Sequence, residues 1–420
     1  MEKVVIVSAV RTPFDKFGGP MKGENTVALG SFVVKEAMER AAVDPADVEE
    51  TYIGINMPTA NRSIARQISL ASGMPPEANS TTVDRACCSS MVAIAMAKRA
   101  IELGDAKVTV GGGSENMSNV PYFVEDLRWG KRLGDIVLKD IMVVSCPYTG
   151  EPRAKQAGEV ALQYGISREM QDEWAYRSQM LYQEAFKAGK FKDEIKPYVL
   201  HTKKGDVVIS EDQSPRPDTT LEGLAKLKTV NQSPTVTAGN APGLNTGASA
   251  LVLMSESEAA RRGLKPLATI VAHAQASGHP KYIATIPAFA AQKVLAKAGM
   301  TIDQMDIIEI NEAFAVMPLA STILLGEEDP AKVEAIRAKT NINGGAIADG
   351  SHRRTPRNDD GLRTPAPRRR IRPLHDLRRR RRERSLYNQS LITLSIHVDV
   401  LRLRTSRGRV RRRQNIRHRQ

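Results

Sequence analysis

"GMTIDQMDIIEIN", residues 299–311, repeats the pattern of "AVDPADVEETYIG", residues 42–54, at a constant offset of 257. In both copies the end of an apolar-periodic helix runs into an Asp-containing turn and then into a short strand pattern, "TYIGI" in the first and "DIIEI" in the second. Helix, turn and strand stay in phase, so the body of the chain reads as a duplicated α/β unit. Around the first copy, "KVVIVSA" (3–9) reads as a buried strand and "TVALGSFVVKEAMERAA" (26–42) as a helix. A further helix is expected near 61–72, then "MVAIAMAKRAIELG" (91–104) as a helix ending on Gly104 and "KVTVGGG" (107–113) as a strand. Strand and helix alternate, which predicts a parallel sheet with helices on its faces. Around the second copy, "LATIVAHAQASG" (267–278) gives a strand, 287–298 a helix, and a further helix runs through Leu325 to the turn "TNINGG" (340–345).

The same offset sets "DRACCSS" (84–90) opposite "NINGGAI" (341–347), so a helix and at least one more strand are expected after Gly345. Arginine follows instead. Of the 61 Lys and Arg, 23 lie beyond Gly350, every one an Arg, against 5 of the 47 Asp and Glu, so the last 70 residues carry +18 and the first 350 carry −4. The formal net charge of +14 is therefore no surface average: an acidic body is joined to a very basic tail.

The body has the length for two domains of roughly 100–200 residues each. No stretch reaches the ~18 apolar residues of a membrane span, and "MEKVVIVSAVRTP" is a strand pattern rather than a leader, so a cytoplasmic protein without a membrane partner is expected. The three Cys, at 87, 88 and 146, are too few for a disulfide framework and have no CxxC spacing. Between the halves, residues 118–245 are polar and contain Pro, with one long helical piece, "SREMQDEWAYRSQMLYQEAFKAG" (167–189). Ser167 is predicted to cap it, with Gln171 near capping-box spacing, and Gly189 to end it. An insertion there is placed to cover a site built by the two halves.

"VDRACCSSM" (83–91) carries the first chemistry. A Cys at a strand-to-helix turn meets the partial positive charge of the helix N-terminus, which favours the thiolate, and Cys87 stands just before the helical pattern. From this stretch alone, Cys87 and Cys88 read equally as small residues at a tight helix–strand contact. "GGGSENMS" (111–118) is a second Gly-rich turn, and "INEAFA" (310–315) presents an amide and a carboxylate in Asn311 and Glu312. Singly, these are turn geometry and capping.

Together, "VIVSAVRTPF" (5–14), "VDRACCSSM", "GGGSENMS", "RPDTTLEGLAKLK" (216–228), "TVTAGNAPGLNTGASALVLMS" (235–255), "EINEAFA" and "NINGGAIA" (341–348) follow the order and approximate spacing of the thiolase family, which residues 1–350 resemble. The resemblance implies a thiolase fold: two duplicated α/β halves in a five-layered α-β-α-β-α arrangement with an inserted loop domain. The expected division is 1–117 with 246–265 as the N-terminal half, 118–245 as the loop domain, 266–350 as a truncated C-terminal half, and 351–420 as an aberrant, disordered tail. It also implies a homodimer or homotetramer acting on acyl-CoA, with coenzyme A thioesters as substrates and no cofactor or metal. The reaction expected is condensation of two acetyl-CoA to acetoacetyl-CoA plus CoA, or the reverse thiolysis, as in acetyl-CoA acetyltransferases.

By the same resemblance, Cys87 is the nucleophile that takes the acyl group and Asn311 holds a water of the oxyanion hole. Ala313 and Phe314 line the substrate channel, and Arg216 and Ala238 match CoA-contacting loop positions. The chain departs from the family in its C-C-S-S turn, where Cys88 and Ser90 stand at usual Gly positions, and at Pro242 and Thr246, where Ser and Asp are usual. The larger departure follows "NINGGAIA". There the family carries G-H-P, whose His activates the nucleophile, and later C-x-G-G-G, whose Cys is the acid/base. Here His352 sits one place late and no Cys follows Cys146. A shifted reading frame near Ala348 accounts for both, since codons for Asp-Gly-Ser-His read one nucleotide later permit Met-Gly-His. Two other functions stay open on sequence: a non-condensing acyl-CoA or lipid-binding protein of thiolase type, and a nonspecific binder of nucleic acid through the Arg runs, which hold a single aromatic, Tyr387.

Overall fold

The computed structural model describes residues 2–57, 59–143, 145–350, 393–394 and 397–402. The first half is built as its patterns require. Strand β1 (Val4–Arg11) is buried along its whole length, and its side chains alternate between two cores. Val5 and Val7 face one cluster with Leu29, Val33 and Ala37 of helix α1 (Thr26–Arg40), while Val4 and Ile6 face another with Ile94, Ala97 and Ile101 of helix α3 (Ser89–Leu103). A strand buried on both faces reads as a continuous apolar run, as "VVIV" does. β2 (Asp15–Lys16) precedes α1, β3 (Glu50–Gly54), α2 (Ile64–Ala71) and β4 (Asn79–Val83) come between the two helices, and β5 (Val108–Asn116) follows α3. Asn25 caps α1 by accepting from the Val27 N–H at 2.8 Å, and Gly104 ends α3 at φ +84°.

Helices α4 (Arg153–Gln163) and α5 (Arg168–Lys187), the hairpin β6 (Tyr198–Thr202) and β7 (Gly205–Ile209), and α6 (Leu221–Ala225) make up the inserted region. Ser167 caps α5 by accepting from the Met170 N–H at 3.2 Å, and Gly189 follows its C-cap at φ +70°. Gln171 behaves differently from the capping-box expectation: its amide donates to the Ser167 carbonyl at 3.1 Å. The insertion is tied to the first strand by a buried cluster. The Arg11 guanidinium meets Glu194 at 2.7 Å and Asp212 at 2.6 Å, and the Tyr182 hydroxyl donates to Asp212 at 2.9 Å. Burial opposes the charge on Arg11, but Asp212 and Glu194 outweigh it and raise the Arg11 pKa.

The chain then returns through β8 (Asn245–Ser255), α7 (Glu256–Arg261), β9 (Ala268–Gln275), α8 (Ile286–Ala298), α9 (Val316–Leu325), α10 (Pro330–Ala338) and α11 (Ala346–Asp349). The expected all-parallel sheet is corrected. β3 pairs in parallel with β4 and β5, whereas β8 enters antiparallel between β5 and β1, and β9 pairs antiparallel with β1. A strand returning from the long insertion carries no crossover helix to force it parallel. The duplication keeps its offset at two points: the turns Pro45–Asp47 and Ile302–Gln304, and the starts of α3 at Ser89 and α11 at Ala346, each stand 257 residues apart.

Two expectations for the second half change. The "DIIEI" segment forms isolated bridges, one of them parallel from Ile308 to Thr340, rather than a strand ladder among the described residues. Within the tail, expected to be disordered, β10 (Thr393–Leu394) and β11 (His397–Arg402) are strands, and β11 pairs antiparallel with β9 from His397↔Gln275 to Arg402↔Thr269. The sequence explains this, because Leu394, Ile396, Val398 and Val400 alternate with Ser395, His397 and Asp399, a period of two hidden among the arginines. The remaining tail residues, His352 included, lie outside the described residues.

At the end of β3, a Cβ on Gly54 would overlap the backbone of Ser89 and Ser90, so this glycine lets the sheet approach the start of α3. Gly54→Ala is expected to lower stability in urea unfolding by about 1–3 kcal/mol, the range for overpacking a closed contact. Gly23→Ala, where a Cβ meets nothing within 4 Å, should change it by less than about 0.5 kcal/mol.

Candidate active site

Cys87 lies in the turn between β4 and α3, half-buried, one residue before the N-cap Cys88. The turn is closed by short bonds: the Arg85 N–H donates to Ser89 Oγ at 2.8 Å, and Ser89 Oγ donates to the Ala86 carbonyl at 2.7 Å. Its backbone stress falls on Ala86, at φ +51°, a left-handed conformation costing an L-residue roughly 1–2 kcal/mol. Cys88 at φ −100° needs no glycine, which is why a C-C-S-S turn is tolerated where the family places Gly. The Arg85 guanidinium donates to Gln275 Oε1 at 2.5 Å and to Ser277 Oγ at 3.4 Å, fixing the turn against the end of β9.

The three thiols differ by environment. Burial pushes the Cys88 thiol up to about 12, and its Sγ–H donates to the Arg85 carbonyl at 2.9 Å. Burial also acts on Cys146, but hydrogen bonds from the Thr149 hydroxyl and the Thr149 and Tyr148 N–H groups, with the Arg153 charge, win and hold it at about 7. Cys146 is nevertheless only 3% exposed. Cys87 is the thiol that a solvent-borne electrophile reaches.

The other expected residues gather around Glu312. This side chain is fully buried, and its carboxylate accepts from Trp174 Nε1 at 2.9 Å, Ser178 Oγ at 2.9 Å, Asn341 Nδ2 at 2.8 Å and the Ile347 N–H at 3.0 Å. Asn311, half-buried, precedes it directly. Asn341 also pairs with both backbone groups of Ile310, accepting at 2.8 Å and donating at 2.9 Å, and so completes the short parallel contact begun at Ile308. Ala313 and Phe314 are half-buried against the cluster of Ala157, Val160, Val316 and Leu319, between α4 and α9.

The two loop residues expected to touch coenzyme A are both exposed and both anchored by neighbours. The Arg216 N–H donates to Gln179 Oε1 at 2.9 Å, and Gln179 Nε2 donates to the Ile347 carbonyl at 3.1 Å. Ala238 belongs to a turn held by Asn240, whose carbonyl accepts from the Ala315 N–H at 2.9 Å and whose amide donates to Asp172 at 2.9 Å. Asn311, Ala313, Phe314, Arg216 and Ala238 are thus joined in one framework. The described hydrogen bonds tie the Cys87 turn to Gln275 and Ser277 instead. Thr246 is buried and donates to Asn116 Oδ1 at 2.7 Å, and Pro242 is half-buried. Trp174, Ser178, Gln179 and Asn341 were not singled out by sequence. The one trace they leave is spacing, since Trp174 and Ser178 stand four apart on one face of α5.

Among the described residues, no group of three or more His, Cys, Asp or Glu could hold a metal ion, and no helix is long and apolar enough to cross a membrane. A family model described as thiolase, N-terminal domain, matches residues 4–257, and one described as thiolase, C-terminal domain, matches residues 264–352. An acetyl-CoA acetyltransferase of Syntrophomonas wolfei is 39% identical over 357 residues, covering 83% of this chain and 88% of that protein. A beta-ketothiolase of Cupriavidus necator is 42% identical over 354 residues, with coverage of 83% and 88%. In fold, the chain is similar to the crystal structure of the Bacillus anthracis acetyl-CoA acetyltransferase, with a TM-score of 0.80, 39% identity and coverage of 84% of this chain and 89% of that one. It is also similar to human mitochondrial 3-ketoacyl-CoA thiolase, with a TM-score of 0.81, 30% identity and coverage of 96% and 99%.

At pH 7.5 and limiting iodoacetamide, Cys87 should be alkylated first. Cys88 should stay unlabelled at any pH well below about 12, because only its thiolate reacts. Peptide mapping by mass spectrometry reads the order, and faster labelling at Cys146 would mean that its low pKa outweighs its burial.

Proposed function

The chain belongs to the thiolase family, and from that premise we propose that it is an acyltransferase of the acetyl-CoA acetyltransferase type with Cys87 as nucleophile. The observation that carries this is the placement of an accessible thiol at the start of α3, beside a buried and protonated Cys88. The Cys87 thiolate attacks the thioester carbonyl of acetyl-CoA, a new C–S bond forms, and coenzyme A leaves as the thiol after taking up a proton. In the second half-reaction, C2 of another acetyl-CoA loses a proton and attacks the acetyl-Cys87 carbonyl, releasing acetoacetyl-CoA and restoring the thiol. Reverse thiolysis runs through the same intermediate.

Asn311 is assigned to the oxyanion that forms on the thioester carbonyl. A half-buried amide on a backbone fixed from both sides costs little reorganisation when charge develops. Ala313 and Phe314 wall the acyl channel, and the Arg216 and Ala238 loops receive the coenzyme A portion. No cofactor is needed, because the thioester carries its own activation and the thiol is the nucleophile. Three free cysteines suit a reducing compartment, and we place the enzyme in the cytoplasm.

Condensation also needs a base for C2, and no Cys follows Cys146 to provide one. Loss of a positioned base costs about 10² to 10⁴ in rate, and loss of a His contact to the oxyanion a further ~10² to 10³. Acetyl transfer to Cys87 should therefore survive as a slow step while condensation falls at least ~10⁴-fold below that of the same body carrying G-H-P and C-x-G-G-G at its C-terminus. Intact-mass spectrometry follows the acetyl-enzyme and absorbance follows acetoacetyl-CoA. Equal condensation by the two proteins would show that the tail supplies its own base; no acetyl-Cys87 in either would remove the nucleophile assignment.

Two surfaces support a homo-oligomer. β4 is a sheet edge without a partner on its outer side among the described residues. The segment closed by the Phe123–Lys139 bridge exposes Trp129 by 91% and Leu133 by 84%, apolar area that a lone chain would leave in water. Light scattering should give a multiple of 46.0 kDa, and Trp129→Asp with Leu133→Asp should lower it. A single-chain mass for the unaltered protein would contradict this assembly.

A further inference from the structure

We infer that Glu312 is the positioning residue of the acyl-transfer site, acting through Asn311 on one side and the start of α11 on the other; this rests on the assignment of Cys87 and Asn311 made above. The carboxylate is fully buried and meets four donors: Trp174 Nε1, Ser178 Oγ, Asn341 Nδ2 and the Ile347 N–H, at 2.8–3.0 Å. Two donors converge on each oxygen. A carboxylate accepts at both oxygens, whereas a carboxamide of the same shape accepts at only one and donates from the other.

Neither orientation of a glutamine satisfies the site. Placed toward Trp174 and Asn341, its NH₂ would face an indole N–H that only donates. The Asn341 amide could not turn to accept, because it already pairs with both the N–H and the carbonyl of Ile310. Placed toward Ser178 and Ile347, the NH₂ would face a backbone N–H. The Ser178 hydroxyl, which also accepts from the Gly345 N–H at 2.8 Å, could turn to accept once more, but the Ile347 N–H would lose its acceptor. The pocket is also closed to enlargement, since a Cβ on Gly345 would overlap the Glu312 carboxylate and one on Gly344, at φ +79°, would overlap Ser178 and Tyr182.

The consequence reaches the site through the chain. Asn311 is the residue before Glu312, and Ala313 and Phe314 are the two after it. One carboxylate therefore sets the register of the amide assigned to the oxyanion and of the channel wall. The same group fixes the turn Gly344–Gly345, and through Ile347 it reaches Gln179 and the Arg216 loop. Substrate need not touch Glu312 for its loss to misplace the amide.

The test compares the full chain with Glu312→Gln. Rates of acetyl transfer to Cys87 are taken by intact-mass spectrometry across acetyl-CoA concentrations. The limiting rate should fall about 10- to 100-fold, the scale of an ångström-sized misplacement, with half-saturating acetyl-CoA changed by less than about twofold. Ser178→Ala, which removes one donor and leaves the carboxylate, should give a smaller fall of the same kind and decides the matter should Glu312→Gln not fold. An unchanged limiting rate, even with a lowered melting temperature, would reduce Glu312 to a structural part and overturn the inference. In parallel, hydrogen exchange should rise at 311–315 and 344–349 in Glu312→Gln, and unchanged exchange there also overturns it. If the unaltered chain acetylates no Cys87, the acyltransferase assignment has failed and the exchange arm alone decides whether Glu312 positions these turns.

Discussion

A buried carboxylate is costly unless its oxygens are filled by donors, and Glu312 is filled by four, with the Arg177 charge close enough to act on it. Those donors come from α5, from the turn before α11 and from α11 itself. The requirement that each reach the same two atoms holds the inserted region and the second half in one relation. Around it, the side chains of Ala157, Trp174, Val316 and Leu319 close into a single apolar cluster, so the polar constraint sets the geometry and burial supplies the bulk of the favourable free energy. Arg11 does a similar service between the first strand and the insertion, with Glu194, Asp212 and Tyr182 around it. Both clusters join segments far apart in sequence.

The duplication places two turns of different character at corresponding points of the two halves. α3 and α11 begin 257 residues apart, each after a turn with residues in the left-handed region, Ala86 in the first and Asn341 and Gly344 in the second. In the first half the turn presents a thiol and the helix runs on for 15 residues, buried against the sheet strands β1, β8 and β9. In the second half the turn is anchored by Glu312 and the helix ends at Asp349, where the chain's composition changes. The family match stops at residue 352, beside that change.

What the sequence determined by itself was whatever depends on periodicity and on local turn chemistry. The apolar spacing of α1, α3 and α8, the caps Ser167 and Gly104, the repeat at 257 and the strand-to-helix placement of Cys87 are all near-neighbour properties, and the structure carries each of them. The period of two in residues 394–400 was equally local and was masked only by the arginines around it. Tertiary structure alone decided the partners. Trp174 and Glu312 are 138 residues apart, Ser178 and Gly345 are 167 apart, and nothing in the spacing of either segment says which acceptor a buried donor will find. The same holds for the antiparallel entry of β8 and the pairing of β11 with β9, because a strand's own pattern fixes which faces are apolar and leaves open the neighbour whose backbone groups complete its hydrogen bonds.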